Sequence, residues 1–508
     1  MTSDPPQYPE ARTGPPPRSS LGILCAILAA FVVLRGPLMY RQYGGQDEDC
    51  YAVPGLTVAR EGIPRLPYAP ARDRDSYFYR IDEALFCEPP ASFYWQAPFF
   101  LVLPAGYGAA RAASAVAGLI AVIVVYQLGR RMLGSEAVGL WAAGLYSVSR
   151  LFFFPATTAR PDMLCGLFGL TALLATWSWH TAPRARALAT AGALLGLGML
   201  THPFAIVYCL QVGAWVFFAS RGWRRLTAPA LLVGCALAAF ALWIPLIAAH
   251  PELFRVQFFN NIVHPAAPGM AARMLVPWDS LLHHGAQLIE HVQVPQLVLM
   301  SAGLLVSTAL ALARRKPGAA MLVSLAWSSC FLLSTAAGVR PSKGYWCYPG
   351  ALLMLCVAYA VVESCRANAW QSGRRWSLSI GGACIVAVML PGAGIRTWAA
   401  HIAHWSDDNY CAPRFVRRLL DTLPPDARLA VDPAFVLDVY AAGRPVVVAT
   451  IDERFFDVRT ATFDYLIVGP VGRQKSTAAV LNAQYLRDLG DPTDPFACFA
   501  EVYEPGMR

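Results

Sequence analysis

The sequence has little charge for its length. Only 14% of its 508 residues are Asp, Glu, Lys or Arg, whereas 56% are hydrophobic. Soluble domains carry about 25% charged residues, because water-facing helices need charged side chains that lipid-facing helices exclude. The uncharged run 231–249 approaches the ~20 residues that cross a hydrocarbon core. The scarcity of charge therefore argues against a set of soluble domains and indicates a helical membrane protein.

Other patterns are missing as well. No CxxC motif and no Cys/His spacing typical of zinc sites occurs. The apolar segments lack central acids and show no repeated half, which weighs against the alternative function, a multi-pass transporter or lipid flippase. The net charge of +9 is spread over short clusters between apolar runs, which is typical of cytoplasmic loops rather than of a protein that binds nucleic acid.

The apolar runs predict eleven spans with approximate edges. They are 20–39, 110–129, 137–155, 161–179, 187–200, 204–219, 229–248, 295–313, 319–337, 345–362 and 376–394. Basic clusters follow the even-numbered spans, at 130–131, 184–186, 221–225, 314–316 and 374–375. Since positive loops stay in the cytoplasm, we predict a multi-pass protein of the cytoplasmic (inner) membrane with its amino terminus inside and its carboxyl terminus outside.

The sequence predicts that the chain is divided into three parts. Residues 1–19 are rich in proline and polar groups and predict a disordered cytoplasmic tail. Residues 20–395 form the predicted catalytic membrane domain, with a charged and aromatic extracytoplasmic loop at 41–109, here called loop one. Residues 396–508 predict a small soluble α/β domain, because apolar strands alternate with helical patterns. The predicted elements are a helix at 413–423, strands at 429–431, 445–449 and 465–468, and a helix at 476–489.

Four cysteines lie on the predicted outer side of the membrane. Cys50 and Cys87 share loop one, and Cys411 and Cys498 share the terminal domain. An oxidising exterior permits one disulfide in each pair. The sequence leaves open whether the thiols are bridged or free.

Loop one opens with the consecutive acids Asp47, Glu48 and Asp49, directly after the first span. One interpretation is a reactive carboxylate. The other is a helix start, with Asp47 as cap and the two following acids near the positive end of the helix. The two interpretations are compatible, because a capped helix also fixes a carboxylate in place.

Further candidates are scattered along the chain. Glu88 precedes two prolines and is a ligand or a solvated turn residue. Arg160 and Asp162 open span four and are a functional pair or a cap pair, because an acid at the mouth of an apolar span is costly unless it is paired or functional.

A further group of candidates lies near the later span ends. Arg340, Lys343 and Tyr345 precede span ten, on the predicted outer side. Cations there favour anion binding, with lipid headgroup contact as the alternative. His202, at the end of span five, is a weak signal by itself.

These pieces, in this order, resemble the GT-C integral-membrane glycosyltransferases, in particular the protein O-mannosyltransferases and the lipid A aminoarabinose transferases. The resemblance covers about residues 20–400. The matching motifs are Asp47-Glu48-Asp-Cys-Tyr51, Ala59-Arg60-Glu-Gly62-Ile-Pro64, Pro89-Pro90, Arg160-Pro161-Asp162, Gly196-Leu-Gly198-Met-Leu200-Thr201 and Tyr348-Pro349. No single motif is specific, but their order and the topology together are.

The resemblance implies sugar transfer from a polyprenyl-phosphate-linked donor to a hydroxyl of a glycan, lipid or protein acceptor on the outer face. It implies that Asp47 is the base, that Asp162 is an auxiliary acid, and that Glu48 supports them. Arg160, Arg340, Lys343, His202, Tyr345 and Glu88 are the expected substrate-binding residues.

Two positions depart from the family pattern. His202 and Glu88 stand where lysines are common, and both positions are expected near the donor phosphate. The donor headgroup and the use of a metal ion are therefore open, and Arg340 and Lys343 are candidates to supply the missing charge. A divalent ion near Glu48, Glu88 and His264 is one open candidate cofactor, although no spacing demands it.

The chemistry of sugar transfer from a lipid phosphate supports the glycosyltransferase hypothesis independently of the resemblance. A lipid phosphate is an acidic leaving group, so transfer needs no general acid and one base suffices, typically worth ~10²–10⁴ in rate. Cationic groups must balance the departing phosphate.

A third hypothesis is a non-catalytic assembly protein that docks a partner through residues 396–508.

Overall fold

The computed structural model describes residues 17–45, 47–263, 269–340, 343–368, 375–452 and 454–506. Most of the predicted tail at 1–19 and the predicted metal candidate His264 lie outside these residues.

The first half of the chain is almost entirely helical. Its helices are α1 Arg18–Arg41, α2 Glu48–Glu61, α3 Ala91–Val102, α4 Tyr107–Leu133, α5 Glu136–Val148, α6 Arg150–Thr157, α7 Asp162–Thr181, α8 Ala185–Met199, α9 Ile206–Ala219, α10 Arg224–Phe240, α11 Ile244–Ala249 and α12 Pro251–Phe258.

Helices continue through the rest of the membrane part and into the terminal region. They are α13 Met270–Leu275, α14 Trp278–Arg314, α15 Pro317–Ala337, α16 Cys347–Asn368, α17 Arg375–Met389, α18 Ile395–Ala403, α19 Ala412–Leu420, α20 Val436–Ala441, α21 Pro470–Gln474 and α22 Thr477–Val480.

Each of the eleven predicted spans has a helical counterpart among the described residues. Seven helices are long and apolar enough to cross a membrane, two more candidates are bent helix pairs, and two are shorter apolar helices. Span three is the first bent pair, in which α5 and α6 meet at 60°. Span eight begins earlier than predicted, because α14 starts at Trp278. The fold class, a polytopic helical membrane protein with a small C-terminal sheet region, is confirmed.

The bend of span three has a local cause. Ser149 leaves the helical conformation, and its hydroxyl accepts a hydrogen bond from Phe152 N, which starts α6 as a new helix. The chain then leaves α6 at Thr157 and enters α7 at Asp162. The short connection 158–161 is thereby fixed at one end of the bundle, beside loop one.

The described residues of the C-terminal sheet region form seven strands. They are β1 Leu429–Val431, β2 Val446–Val448, β3 Ile451–Asp452, β4 Phe456–Asp457, β5 Tyr465–Val468, β6 Gln484–Gly490 and β7 Phe499–Glu504. Five form a mixed sheet in the order β2-β1-β5-β7-β6, with β1 parallel to β2 and β5, and β7 antiparallel to β5 and β6. β3 and β4 form a separate antiparallel pair.

One predicted element of this region is wrong. Residues 476–489 were expected to be a helix, but only α22 is helical and β6 follows it. Asn482 adopts a left-handed φ of 50° between the two elements. The edge pairing of β6 with β7 overrides a local sequence of good helix formers.

The sheet region and loop one share one hydrophobic core. Leu56 and Phe93 of loop one pack in the same cluster as Leu429 and Val502 of the sheet. The division of the chain at residue 396 therefore stays a prediction, because the core runs across it. Cys50, Cys87, Cys411 and Cys498 are free thiols.

Candidate active site

Asp47 is the residue immediately before α2. Its backbone is left-handed, with φ 70° and ψ −10°, and its side chain makes no capping hydrogen bond. Asp47 therefore occupies the N-cap position without capping the helix through its side chain, whereas Glu48 and Asp49 lie in the first turn of α2 as that interpretation expects. A left-handed conformation costs an L-residue about 1–2 kcal/mol, and such strain concentrates at functional sites. The side chain is 57% exposed, so its carboxylate is available to a ligand.

Arg160 joins two of the predicted acids. Its Nη1 donates to Asp47 Oδ2 at 3.2 Å, and its Nε donates to Asp162 Oδ2 at 2.8 Å. Asp162 is fully buried in the first turn of α7, where the positive helix end favours an anion. The other oxygen of Asp162, Oδ1, has no hydrogen-bond partner among the described residues. Both interpretations of Arg160 and Asp162 therefore apply. The two side chains neutralise each other at the start of α7, and Arg160 also binds Asp47.

Aromatic rings enclose the guanidinium of Arg160. Its Cζ lies 5.1 Å from the ring centre of Tyr51 and 5.8 Å from that of Tyr345. Tyr345 belongs to the short helical turn Lys343–Trp346, which reaches the site because Gly344 lies against Asp162. A Cβ at Gly344 would lie 2.9 Å from Asp162 Oδ2. The turn can approach this closely only with glycine at that position.

Glu88 and His202, the two departures from the family pattern, are neighbours. Their Oε2 and Nε2 atoms lie 4.0 Å apart. Burial raises the pKa of Glu88 to about 8, against the opposing effect of Arg160. Burial also lowers the pKa of His202 to about 4. Near pH 7 both groups are neutral, so this contact is not an ion pair.

The imidazole of His202 is held on two sides. Its Nδ1 accepts a hydrogen bond from Phe204 N at 3.1 Å, which assigns the ring proton to Nε2, toward Glu88. Its ring centre lies 4.6 Å from that of Tyr345. The pair therefore adjoins the Arg160 cluster.

Glu48 has a different position from Asp47. Its carboxylate is buried and paired with Arg111, with distances of 2.5 Å to Nη2 and 2.9 Å to Nε. It also accepts hydrogen bonds from Gly45 N and Ala159 N, both at 2.7 Å. Burial alone would raise the pKa of Glu48, but Arg111 and the two backbone donors hold it below its ordinary value. The bonds from Gly45 N and Ala159 N tie the segment before Asp47 to the segment before Arg160, and Arg111 anchors both to α4, which gives Glu48 a positioning role.

Arg111 was not singled out from the sequence. It lies near the start of α4, and its side chain also donates to the backbone oxygens of Met39, Gln42 and Tyr43. The signal that could have found it is a charged residue at the mouth of an apolar span.

Two predicted substrate-binding residues make their contacts elsewhere. Lys343 Nζ pairs with Glu290 Oε1 of α14 at 2.7 Å. Arg340 lies near enough to Arg273 for the two guanidiniums to repel. Arg273 donates to the carbonyl oxygens of the last turn of α15, at 2.6 and 2.9 Å. These cations form a second basic region at the same end of α15.

An apolar groove of about 710 Å³ runs between α9 and α15 and includes Met274, next to Arg273. Its lining is mostly apolar, and the polar groups include His180 and Gln211. The groove therefore joins the basic region at one end and has the chemistry to hold a hydrocarbon chain.

Within the described parts of the chain, no three His, Cys, Asp or Glu side chains converge in a way that could hold a metal ion. All four contacts of Glu48 are made within the protein. The divalent cofactor stays a prediction.

Comparisons with known proteins identify the fold. Residues 87–248 match the family described as dolichyl-phosphate-mannose-protein mannosyltransferase. No curated protein matches the chain by sequence.

Solved structures match almost the whole chain. One is ArnT from Cupriavidus metallidurans bound to undecaprenyl phosphate, with a TM-score of 0.58, 15% identity, and coverage of 95% of this chain and 98% of that one. Another is the archaeal oligosaccharyltransferase AglB from Archaeoglobus fulgidus in complex with an inhibitory peptide and a dolichol-phosphate. It gives a TM-score of 0.55, 13% identity, and coverage of 95% and 74%.

Proposed function

We propose that this chain, whose fold is that of the GT-C membrane glycosyltransferases, transfers a sugar from a polyprenyl-phosphate-linked donor to an acceptor hydroxyl on the outer face of the membrane. The observation that carries the proposal is the exposed carboxylate of Asp47, which has a left-handed backbone and is paired with Arg160 beside buried Asp162. The lipids bound by ArnT and AglB support a lipid-phosphate donor for this chain.

Asp47 acts as the base in the proposed reaction. It takes the proton of the acceptor hydroxyl, whose oxygen attacks the anomeric carbon of the sugar. The bond from that carbon to the phosphate oxygen breaks, and the electron pair leaves with the polyprenyl phosphate. A single displacement of this kind inverts the anomeric centre. Because the phosphate is a good leaving group, no proton donor is needed.

Charge balance assigns roles to the neighbouring groups. Arg160 is already paired with two carboxylates, so the three groups together carry no net positive charge to offset that of the phosphate. The neutral pair Glu88 and His202 contributes hydrogen bonds there rather than a second cation. The apolar groove beside Arg273 and Arg340 provides a path for the lipid chain and further positive charge for its headgroup.

The test compares membrane glycolipids and glycans by mass spectrometry in cells with the gene, without it, and complemented with variants. Asp47→Asn is expected to lower product formation by about 10²–10⁴ while the protein is still made and inserted. The matched control is Asp75→Asn, the same change at an exposed acid of loop one, which should restore the product. Normal product levels with Asp47→Asn would overturn the assignment.

A further inference from the structure

A cavity of about 170 Å³ lies between loop one and the C-terminal sheet region. Loop one contributes Asp47, Asp49 and Phe78, and the sheet region contributes Thr450, Asp452, Phe455 and Lys475. Pockets for drug-sized ligands are larger, about 300–1,000 Å³. The cavity therefore suits one small ring.

The walls of the cavity are fixed by hydrogen bonds between the two regions. Val448 N donates to Tyr68 O at 3.1 Å, and Tyr77 N donates to Arg454 O at 2.8 Å. The Ser76 hydroxyl donates to Phe455 O at 2.8 Å. These contacts hold the β3–β4 pair against loop one, so the site exists only when the sheet region is docked.

The lining combines aromatic and polar groups. Phe455 is 37% exposed, and its ring centre lies 5.1 Å from that of Phe78. Carboxylate oxygens of Asp49 and Asp452 offer several acceptor positions to hydroxyl groups. Apolar faces beside convergent carboxylates match a sugar ring, which presents C–H groups on its faces and hydroxyls at its edge.

The charge of the lining excludes some ligands. Three carboxylates face one ammonium group, that of Lys475. Asp49 is buried, and burial together with Asp47 raises its pKa to about 7. An anionic ligand would be repelled by this set, whereas a neutral or amino sugar would be accepted.

Asp47 belongs both to this cavity and to the Arg160 cluster. We propose that the cavity is the acceptor subsite, which takes the terminal neutral or amino sugar of a glycan and presents one hydroxyl to Asp47. The inference rests on the proposed function, and it gives the C-terminal sheet region a direct part in acceptor recognition.

The experiment measures binding apart from turnover. The full chain in lipid nanodiscs is titrated with methyl glycosides of neutral hexoses, pentoses and glucosamine, with methyl glucuronide, and with an acetylated serine peptide amide, by saturation-transfer NMR. At least one neutral or amino glycoside should bind, and the glucuronide should not. Thr450→Val, which keeps the side-chain shape, should weaken binding about two- to tenfold, and Phe455→Ala about tenfold.

The matched control is Tyr485→Ala, which removes an exposed ring of β6 outside the cavity and should bind glycosides like the wild type. Thermal unfolding of Thr450→Val checks that the fold is intact. Asp47→Asn should keep glycoside binding while it loses transfer.

The outcomes separate the two proposals. Suppose that the wild type transfers sugar, and that Thr450→Val and Phe455→Ala bind glycosides and transfer sugar as well as the wild type does. The cavity is then not the acceptor subsite, whereas the proposed function stands. Binding of the peptide without any glycoside overturns the sugar acceptor. Glycoside binding that the variants weaken supports the subsite even if Asp47→Asn retains full transfer, a result that would overturn the function alone.

Discussion

The buried ion pair between Glu48 and Arg111 gives the sharpest prediction. Two donors face each oxygen of the Glu48 carboxylate: Arg111 Nε and Ala159 N at Oε1, and Arg111 Nη2 and Gly45 N at Oε2. In Glu48→Gln either orientation of the amide sets its NH₂ group against two donors. The guanidinium of Arg111, only 4% exposed, then loses its counter-charge.

Breaking a buried pair by removal of one partner costs about 3–5 kcal/mol, so the unfolding equilibrium should shift by about 10²- to 10⁴-fold. The measurement is the thermal or denaturant midpoint of the purified chain in nanodiscs. The control is Glu83→Gln, the same change in a half-exposed pair with Arg80, where the expected loss is about 0–1 kcal/mol.

The pH dependence follows from the direction of the pKa shift. Because the folded-state pKa of Glu48 lies below its ordinary value, the pair contributes stability above the ordinary carboxyl range and loses it as the pH falls through the folded-state value. The wild type should therefore lose more stability in acid than Glu48→Gln does.

A double variant separates stability from positioning. Glu48→Leu with Arg111→Met replaces the charges by apolar groups, which is often neutral or stabilising, but leaves Gly45 N and Ala159 N without their acceptor. Stability should recover only in part, because the backbone groups that bonded to Glu48 and Arg111 are left without partners. Transfer should stay low, since the segments that hold Asp47 and Arg160 are no longer tied together. A wild-type midpoint for Glu48→Gln, or full transfer by the double variant, would refute the reasoning.

Two further predictions concern the site itself. The wild type should lose activity above about pH 8, because Glu88 then ionises through its raised pKa and places a new negative charge beside the phosphate. Glu88→Gln should keep transfer at pH 7 and remove this loss. A pH–rate profile of the variant with an unchanged alkaline limb would contradict this. Asp47→Gly should abolish transfer without lowering the unfolding midpoint, because relief of the left-handed strain, about 1–2 kcal/mol, offsets the cost of about 0.5–1 kcal/mol for glycine. A clear drop in that midpoint would show that Asp47 is structurally required.

Much of the membrane fold could be predicted from the sequence. Long apolar runs must become helices, since no other local structure satisfies the backbone in lipid, and each predicted span has its helix. The positions of Asp47, Arg160 and Asp162 next to span ends placed them at one end of the bundle. The predicted helix at 476–489 failed because the partner strand β7, which lies elsewhere in the sequence, decides the structure there.

The site is harder to predict, because it depends on contacts between distant segments. The sequence determined which acids and cations lie at the span ends, since the apolar core excludes them. Only the tertiary structure decided that Glu48 pairs with Arg111 while Asp47 stays exposed, because four hydrogen-bond donors from three segments converge on the carboxylate of Glu48. It also decided that Glu88 and His202 are neutral neighbours, because burial sets their protonation. The cavity beside Asp47 needs both loop one and the sheet region, and no local sequence pattern encodes their docking.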